Sequence, residues 1–420
     1  MSLSSDRILK CFLVCLPCLV SGVAAAQVSI EEFIHSAQAD YEVRTFENQR
    51  TFLNRKTYRL PPLRELEFRY QNQEFLDTRN EYALRISPAN PFEMRATSKY
   101  YKEVQTSLLF EREVALKEAL LDRYYTIIDY VYYTELRDLS IRGQQSLNKQ
   151  VSLLEQRSAS SYFDADDYAK LKVEQLDYEA KFLEYEYELI NQVNRIERLY
   201  PIAHRRDISW NPSLVLSVNR VKAVVDSISA AAVRPTFVEY QRQLIKVAQS
   251  QYNLEKSNIN LGFGQLEYDS RRAGENRSPF NVSFGITIPV MNPNKPDMAR
   301  RRMQLIEAEL DHEEAEQETN KDILIYEDKL TRLVNSYSRI EQRIDELGKS
   351  SLAQNLSAIK GGDPILIVQF EERLRKLEML LIKIRNDILI TYIEYLAFSD
   401  LLQKEPLVNY LSPRLVEIHD

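Results

Sequence analysis

Several residue groups in this 420-residue chain could do chemistry by type and spacing. Cys15-Leu16-Pro17-Cys18 has the Cys-x-x-Cys spacing of a redox or metal pair. His312-Glu313-Glu314-Ala315-Glu316 sets a histidine among carboxylates, and Gly262-Phe263-Gly264 could open a phosphate loop. None of the three holds. The only cysteines, Cys11, Cys15 and Cys18, lie in an N-terminal export segment. The His312 stretch lacks the second histidine of a His-Glu-x-x-His zinc site and reads as a solvated acidic helix face. The two glycines sit inside an alternating strand. No catalytic, metal or cofactor residue is therefore assigned, and the chain is not expected to be an enzyme. A fourth group does electrostatics instead. Asp164, Asp166, Asp167 and Asp363 fall in the turns between long helices. There they can cap helix N-termini, where the dipole favours negative charge, or ring an opening and attract cations.

The elements that must place these acids begin after residue 26. Residues 1–26 have Arg7 and Lys10, an apolar run from Cys11 to Val20, and Ala24-Ala25-Ala26. That is the order of a cleaved secretory signal. Neither Cys15 nor Cys18 has the lead sequence of a lipid-modified cysteine, so lipidation is not expected. Without later cysteines the exported chain has no disulfide, and its stability must come from packing or assembly. The chain carries a net charge of −7, and one unit more negative without the signal. An acidic chain argues against nucleic acid as a partner. No later run is apolar enough for a transmembrane helix, so entry into a membrane requires a closed barrel.

Four segments alternate with the period of a strand. Leu66, Phe68 and Tyr70 oppose Glu65, Glu67, Arg69 and Gln71. Tyr82, Leu84 and Ile86 oppose Glu81, Arg85 and Ser87. Ile259, Leu261 and Phe263 oppose Asn260, Gly262 and Gly264, after which the alternation slips to Leu266 and Tyr268 through an expected bulge at Gly264. In the fourth, Val282, Phe284, Ile286 and Ile288 oppose Ser283, Gly285 and Thr287. From Phe280 to Val290 it is about 11 residues long, enough to cross a bilayer when tilted. Four strands with one apolar face cannot close a barrel, whereas three chains would supply about 12.

The chain reads twice. Each half runs helix, strand, strand, long helix, turn, long helix, with corresponding features about 200 residues apart. The expected boundaries are 27–206 for the first repeat, 207–233 for a linker with Pro212 and the lone Trp210, 234–402 for the second repeat and 403–420 for a tail. The long helices step by 3 and 4 in the manner of coiled-coil seams. Examples are Leu120, Tyr124, Ile127 and Val131; Leu176, Ala180, Leu183, Tyr187 and Ile190; Ile323, Tyr326, Leu330, Leu333 and Tyr337; and Phe370, Leu374, Leu377, Leu381, Ile384 and Ile388. The first long helix, from about Phe92 to about Arg157, would be of order 100 Å long. The 25 tyrosines, often at seam positions, read as wall packing and not as a stacking surface for ligands. Arg300-Arg301-Arg302 follows the fourth strand, either as a plain helix surface or to meet anionic groups at a membrane face.

"RPTFVEYQRQLIKVAQSQYNLEKSNINLGFGQLEY", "FNVSFGITIPVMNPNKPDMARRRMQLIEAEL" and "KGGDPILIVQFEERLRKLEMLLIKIRND" together resemble the TolC-like outer-membrane efflux proteins. The likeness covers nearly all of the chain after residue 26, as two repeats, and rests on order and spacing more than on any one motif. It implies a mainly α fold with a membrane β part. Four strands per chain would close a 12-stranded trimeric β-barrel, continued by a long α-helical coiled-coil barrel. It also implies a homotrimer in outer-membrane lipid with a large periplasmic part, docked to a periplasmic adaptor and an inner-membrane transporter. The chain departs from the family in placing Ile367 where an acidic residue usually follows the tip glycine. Its connection 72–80 is short, leaving little to project outside the cell. Three classes of function are weighed: an outer-membrane export duct for small molecules or proteins, a periplasmic coiled-coil scaffold without a pore, and an exported enzyme. The strands favour the first over the second, and the lack of a catalytic constellation disfavours the third. The sequence does not name the cargo.

Overall fold

The computed structural model describes residues 27–55, 60–72, 80–156, 165–228, 235–270, 272, 277–287, 294–349 and 364–418. Helices α1 (Ile30–His35) and α2 (Tyr41–Asn54) come first, then strands β1 (Leu63–Asn72) and β2 (Asn80–Pro88). Long helices α3 (Pro91–Gln156) and α4 (Ala165–Leu199) follow, then α5 (Val218–Ile228) and α6 (Thr236–Ser257). Strands β3 (Gly262–Asp269) and β4 (Phe280–Ile286) precede α7 (Lys295–Lys349) and α8 (Pro364–Phe398), and a small hairpin, β5 (Val408–Asn409) and β6 (Val416–Glu417), closes the chain. The single helix expected before the first strand is broken in two at Asp40. Ser29 caps α1 by accepting from the Glu32 amide at 3.0 Å, and Asp40 caps α2 by accepting from Glu42 at 3.3 Å. Each cap fixes a new helix start, so the chain turns between them.

Helix α3 is the axis of the molecule. Its 66 residues span about 100 Å. It packs on α4 along one side and on α8 along the other, and α8 packs in turn on α7. Nearer the sheet, α6 contacts both α3 and α7, while α2 lies on α3. The helices thus form a layer with α2 and α4 on one flank and α7 on the other.

The core is a hub at mid-height. Leu120, Tyr124 and Ile127 of α3 meet Ile388, Tyr392, Ile393 and Leu396 of α8, with Phe33 of α1 and Val221 of α5, all fully shielded. Each such aliphatic or aromatic side chain contributes about 1.5–3 kcal/mol by leaving water. The 207–228 stretch belongs to this hub. Trp210 donates its indole N–H to Val28 O at 2.8 Å and rests on Phe33 and Tyr130. The residues after 402 are also built in. Tyr124 donates to Val408 O at 2.8 Å and accepts from the Tyr410 amide at 3.2 Å, and Leu411 is fully buried. Arg123, 1% exposed, donates to Ser36 Oγ at 2.9 Å, Ala119 O at 2.8 Å and Asp40 at 3.3 Å. Its charge is therefore paired and hydrogen-bonded, as burial demands.

Candidate membrane face and tube wall

The four long strands make one antiparallel sheet in the order β1-β2-β3-β4. Their register aligns side chains in rows. Leu66, Ile86, Gly264 and Phe284 form one row; Phe68, Leu84, Leu266 and Val282 the next; Tyr70, Tyr82, Tyr268 and Phe280 the third. All three rows share one face because side chains alternate with period two. Phe284 is 82% exposed and Ile286 83%, on the face opposite Ser283 and Gly285. A contiguous apolar sheet face left in the open marks a partner or a membrane. The third row is wholly aromatic, with ring centroids 5.1 Å apart for Tyr70–Tyr82, 6.3 Å for Tyr82–Tyr268 and 5.2 Å for Tyr268–Phe280. It lies at the loop end of the sheet, where a membrane barrel carries an aromatic girdle. That row was visible in the sequence only as alternation; the register made it a row.

Contrary to the expectation from sequence, no bulge occurs at Gly264, and β3 pairs with β4 without interruption from Gly262 to Tyr268. Gly264 therefore lies on the apolar face, under Phe284, and Phe263 turns to the polar face. The two glycines make this possible. Phe284 covers Gly264, and across the same strand pair Phe263 fills the space over Gly285, where a Cβ would come within 2.5 Å of its ring. Arg85 stacks on Phe263, its guanidinium carbon 3.8 Å from the ring centroid. Phe263 reads as an apolar-face residue in the sequence because the glycines hide the true phase. Gly262, at φ 134°, has a conformation that L side chains rarely adopt, and a Cβ there would strike the Gly285 carbonyl.

The polar face carries Glu67, Arg69, Glu81, Arg85 and Glu267. Arg69 pairs with Glu67 at 2.9 Å. Ile288 falls outside the described residues, as do Asp164 and Asp363. Asp166 stands in the first turn of α4, exposed, with its carboxylate 2.8 Å from Lys170; Asp167 lies 3.6 Å from the same ammonium. These acids thus sit where the α4 dipole favours them.

The helical seams divide in two. On α3, Leu120, Tyr124, Ile127 and Val131 are buried, and on α7 Leu330 is buried with Ile323, Tyr326, Leu333 and Tyr337 against the hub. On α4 the seam is open: Leu176 is 64% exposed, Leu183 56%, Tyr187 63% and Ile190 54%. Helix α4 faces α3 with a different set, Leu171, Tyr178, Tyr185, Leu189 and Ile196. It therefore has two apolar faces, and among the described residues a partner for only one. Helix α7, on the far flank, leaves Met303, Ile306, Leu310 and Leu324 in the open. Between α3 and α8 the wall is tied by Arg385, which donates to Glu135 at 2.5 Å, and by Ser146, which donates to Glu371 at 2.6 Å. Burial pushes the Glu135 carboxyl above the usual range, and the Arg385 charge offsets part of that. Among the described residues no group of three or more metal-ligating side chains occurs, and no helix is long and apolar enough to cross a membrane.

This arrangement, a small apolar-faced sheet at one end of a long helical layer, is the fold of the TolC-like outer-membrane channels. CusC has it at 10% identity, with 88% of this chain and 91% of that chain covered and a TM-score of 0.68. The outer-membrane protein VceC of Vibrio cholerae has it at 12% identity, over 88% and 96% of the two chains, with a TM-score of 0.65. The open MtrE outer-membrane channel of Neisseria gonorrhoeae has it at 13% identity, over 93% and 91%, with a TM-score of 0.64. No protein-family model and no curated protein matches the chain by sequence. The likeness is thus one of fold.

Proposed function

We propose that this protein is an outer-membrane exit duct formed by three copies of the chain, which passes small molecules or proteins out of the cell. The observation that carries this is the sheet. Its apolar face is in register across four strands and open to the surroundings, while its opposite face is charged. A membrane on one side and a wet lumen on the other suit both faces. In a ring, β4 of one copy would pair with β1 of the next, and α7 of one with α2 and α4 of the next. This heterologous contact covers the open seams on both flanks. The resemblance in fold to CusC, VceC and MtrE supports the same reading.

In this reading 1–26 is the export signal, 27–206 and 234–402 are repeats joined by 207–233, and 403–420 is a tail docked on the hub. Val282, Phe284, Ile286 and Ile288 face lipid. The long helices cross the periplasm to an entrance where Asp164, Asp166 and Asp363 recur in each copy and favour cations, and where a periplasmic adaptor and an inner-membrane transporter dock. The test is fractionation of cells expressing the full chain. The protein should stay in the outer-membrane fraction through a high-salt wash and leave it in detergent with the mass of three chains. A single chain released by salt would instead make it a periplasmic coiled-coil scaffold.

A further inference from the structure

The junction between sheet and helices holds a concentration of positive charge that the duct reading does not by itself require. Three helix ends and one strand end meet there. Asn90, before α3, donates to Ser257 O at 2.9 Å and Ile259 O at 3.2 Å. Asn294, before α7, donates to Asn258 O at 2.7 Å, and Arg64 at the start of β1 donates to Asn258 Oδ1 at 3.3 Å. Around this belt stand Arg64, Arg95, Lys99, Lys295, Arg300 and Arg302, all exposed. The acids at the same level are fewer: Glu65 beside Arg64, Glu93, 3.6 Å from Arg64, Glu255 in the last turn of α6, and Asp297, 3.2 Å from Arg300.

Helix α7 makes the case sharper. Its first two turns carry Lys295, Arg300, Arg301 and Arg302, at the end where the macrodipole disfavours cations. The next turns carry Glu307, Glu309, Asp311, Glu313, Glu314 and Glu316, with no lysine or arginine among residues 303–320. Helix stability would favour the opposite order. Helix stability alone does not account for the basic turns. Within about 13 Å of the helix starts, they follow the end of the sheet at which the open Phe284 and Ile286 stand. A surface whose apolar band meets hydrocarbon presents the next layer to lipid headgroups. On the helical side that layer is the periplasmic leaflet, and the headgroup chemistry that complements a guanidinium is phosphate.

We propose that this basic collar binds the phosphates of anionic phospholipids in the periplasmic leaflet and sets the depth at which the sheet sits in the membrane. The proposal rests on the duct reading. The experiment titrates detergent-purified protein with short-chain phosphatidylglycerol or phosphatidylcholine and follows thermal unfolding. Phosphatidylglycerol should raise the melting temperature and phosphatidylcholine much less, and about 0.5 M salt should erase the difference by screening. The triple variant Lys295→Gln, Arg300→Gln, Arg302→Gln should bind phosphatidylglycerol about tenfold more weakly. A control with equal charge removed lower on α7, Arg332→Gln, Arg339→Gln, Arg343→Gln, should retain the wild-type response; all three residues are exposed. Equal response of the wild type to both lipids, persistence of the preference in the triple variant, or its loss in the control would each overturn the collar. Insertion of the wild type into pure phosphatidylcholine vesicles is scored separately: failure there would overturn the duct itself, whereas insertion without lipid preference overturns the collar alone.

Discussion

The hub and the sheet put their apolar side chains in opposite places. In the hub, Tyr124, Ile127, Ile393 and Leu396 are wholly shielded within one chain. On the sheet, Phe68, Val282, Phe284 and Ile286 stand in the open, and along α4 so do Leu176 and Leu183. The amino-acid types are alike, so hydrophobicity does not separate the two regions; completeness does. The hub is a finished core whose energetics belong to the single chain. In the proposed trimer the sheet and the α4 seam are halves of contacts, which lipid and neighbouring copies would complete.

Substitutions should respect that division. The largest effect is expected for Phe284→Arg, where an arginine on a lipid face costs about 2–4 kcal/mol in each copy. Assembled trimer on a native gel should nearly vanish, whereas Ser283→Arg, one residue away on the charged face, should leave most of it. Next comes the hub. Ile393→Ala should lower chain stability by about 2–4 kcal/mol in urea unfolding. Leu183→Ala, on the open seam, should stay within about 0.5 kcal/mol in the same assay yet weaken assembly. Between the strands, Gly262→Ala should cost about 1–3 kcal/mol through its left-handed backbone and the Gly285 carbonyl, read as loss of assembled protein.

Smaller effects lie along the long helices. Burial holds Glu111 of α3 above the usual carboxylate range, with hydrogen bonds to Ser107 and Tyr240 pulling it back. A carboxyl raised in the folded state favours folding when protonated, and that contribution is lost as pH rises through the folded value. Stability should therefore rise as pH falls from neutral toward the ordinary carboxylate range. Glu111→Gln, compared by thermal melts at about pH 5.5 and 7.5, should flatten that slope and stabilise mainly at the higher pH. The smallest effect on stability is expected for Asp164→Asn with Asp363→Asn. Asn also caps helices, so trimer stability should hold while cation preference in planar bilayers falls; unchanged selectivity would leave these residues as caps only.

Much of this division is legible in the sequence. The 3-4 stepping of Leu120, Tyr124 and Ile127 and the alternation of Leu66, Phe68 and Tyr70 are local signals, and both elements form as those signals predict. The sequence could not say which seams close within the chain. Leu176 and Leu120 have the same stepping, and only packing shows that one is covered by α8 and α1 while the other is open. Phase across glycine was equally hidden. Gly264 and Gly285 carry no side chain to mark a face, so alternation alone puts Phe263 on the apolar side, whereas strand register puts it on the polar one. The aromatic row needed the register too, because Tyr70, Tyr82, Tyr268 and Phe280 come from four strands. The break at Asp40 and the folding of 207–228 into the hub depend on caps and on Trp210, which long-period patterns do not report.

The central claim is that one face of the sheet meets lipid and the other water. After residue 26 the chain has no cysteine, so single labels can be placed cleanly. Spin labels at Val282→Cys, Ser283→Cys, Phe284→Cys, Gly285→Cys and Ile286→Cys, in protein reconstituted into bilayers, can be relaxed by oxygen from the lipid phase or by a water-soluble nickel chelate. Accessibility to oxygen should be high at 282, 284 and 286 and low at 283 and 285, with the reverse order for the chelate. Five positions that respond alike to either agent would contradict the membrane assignment.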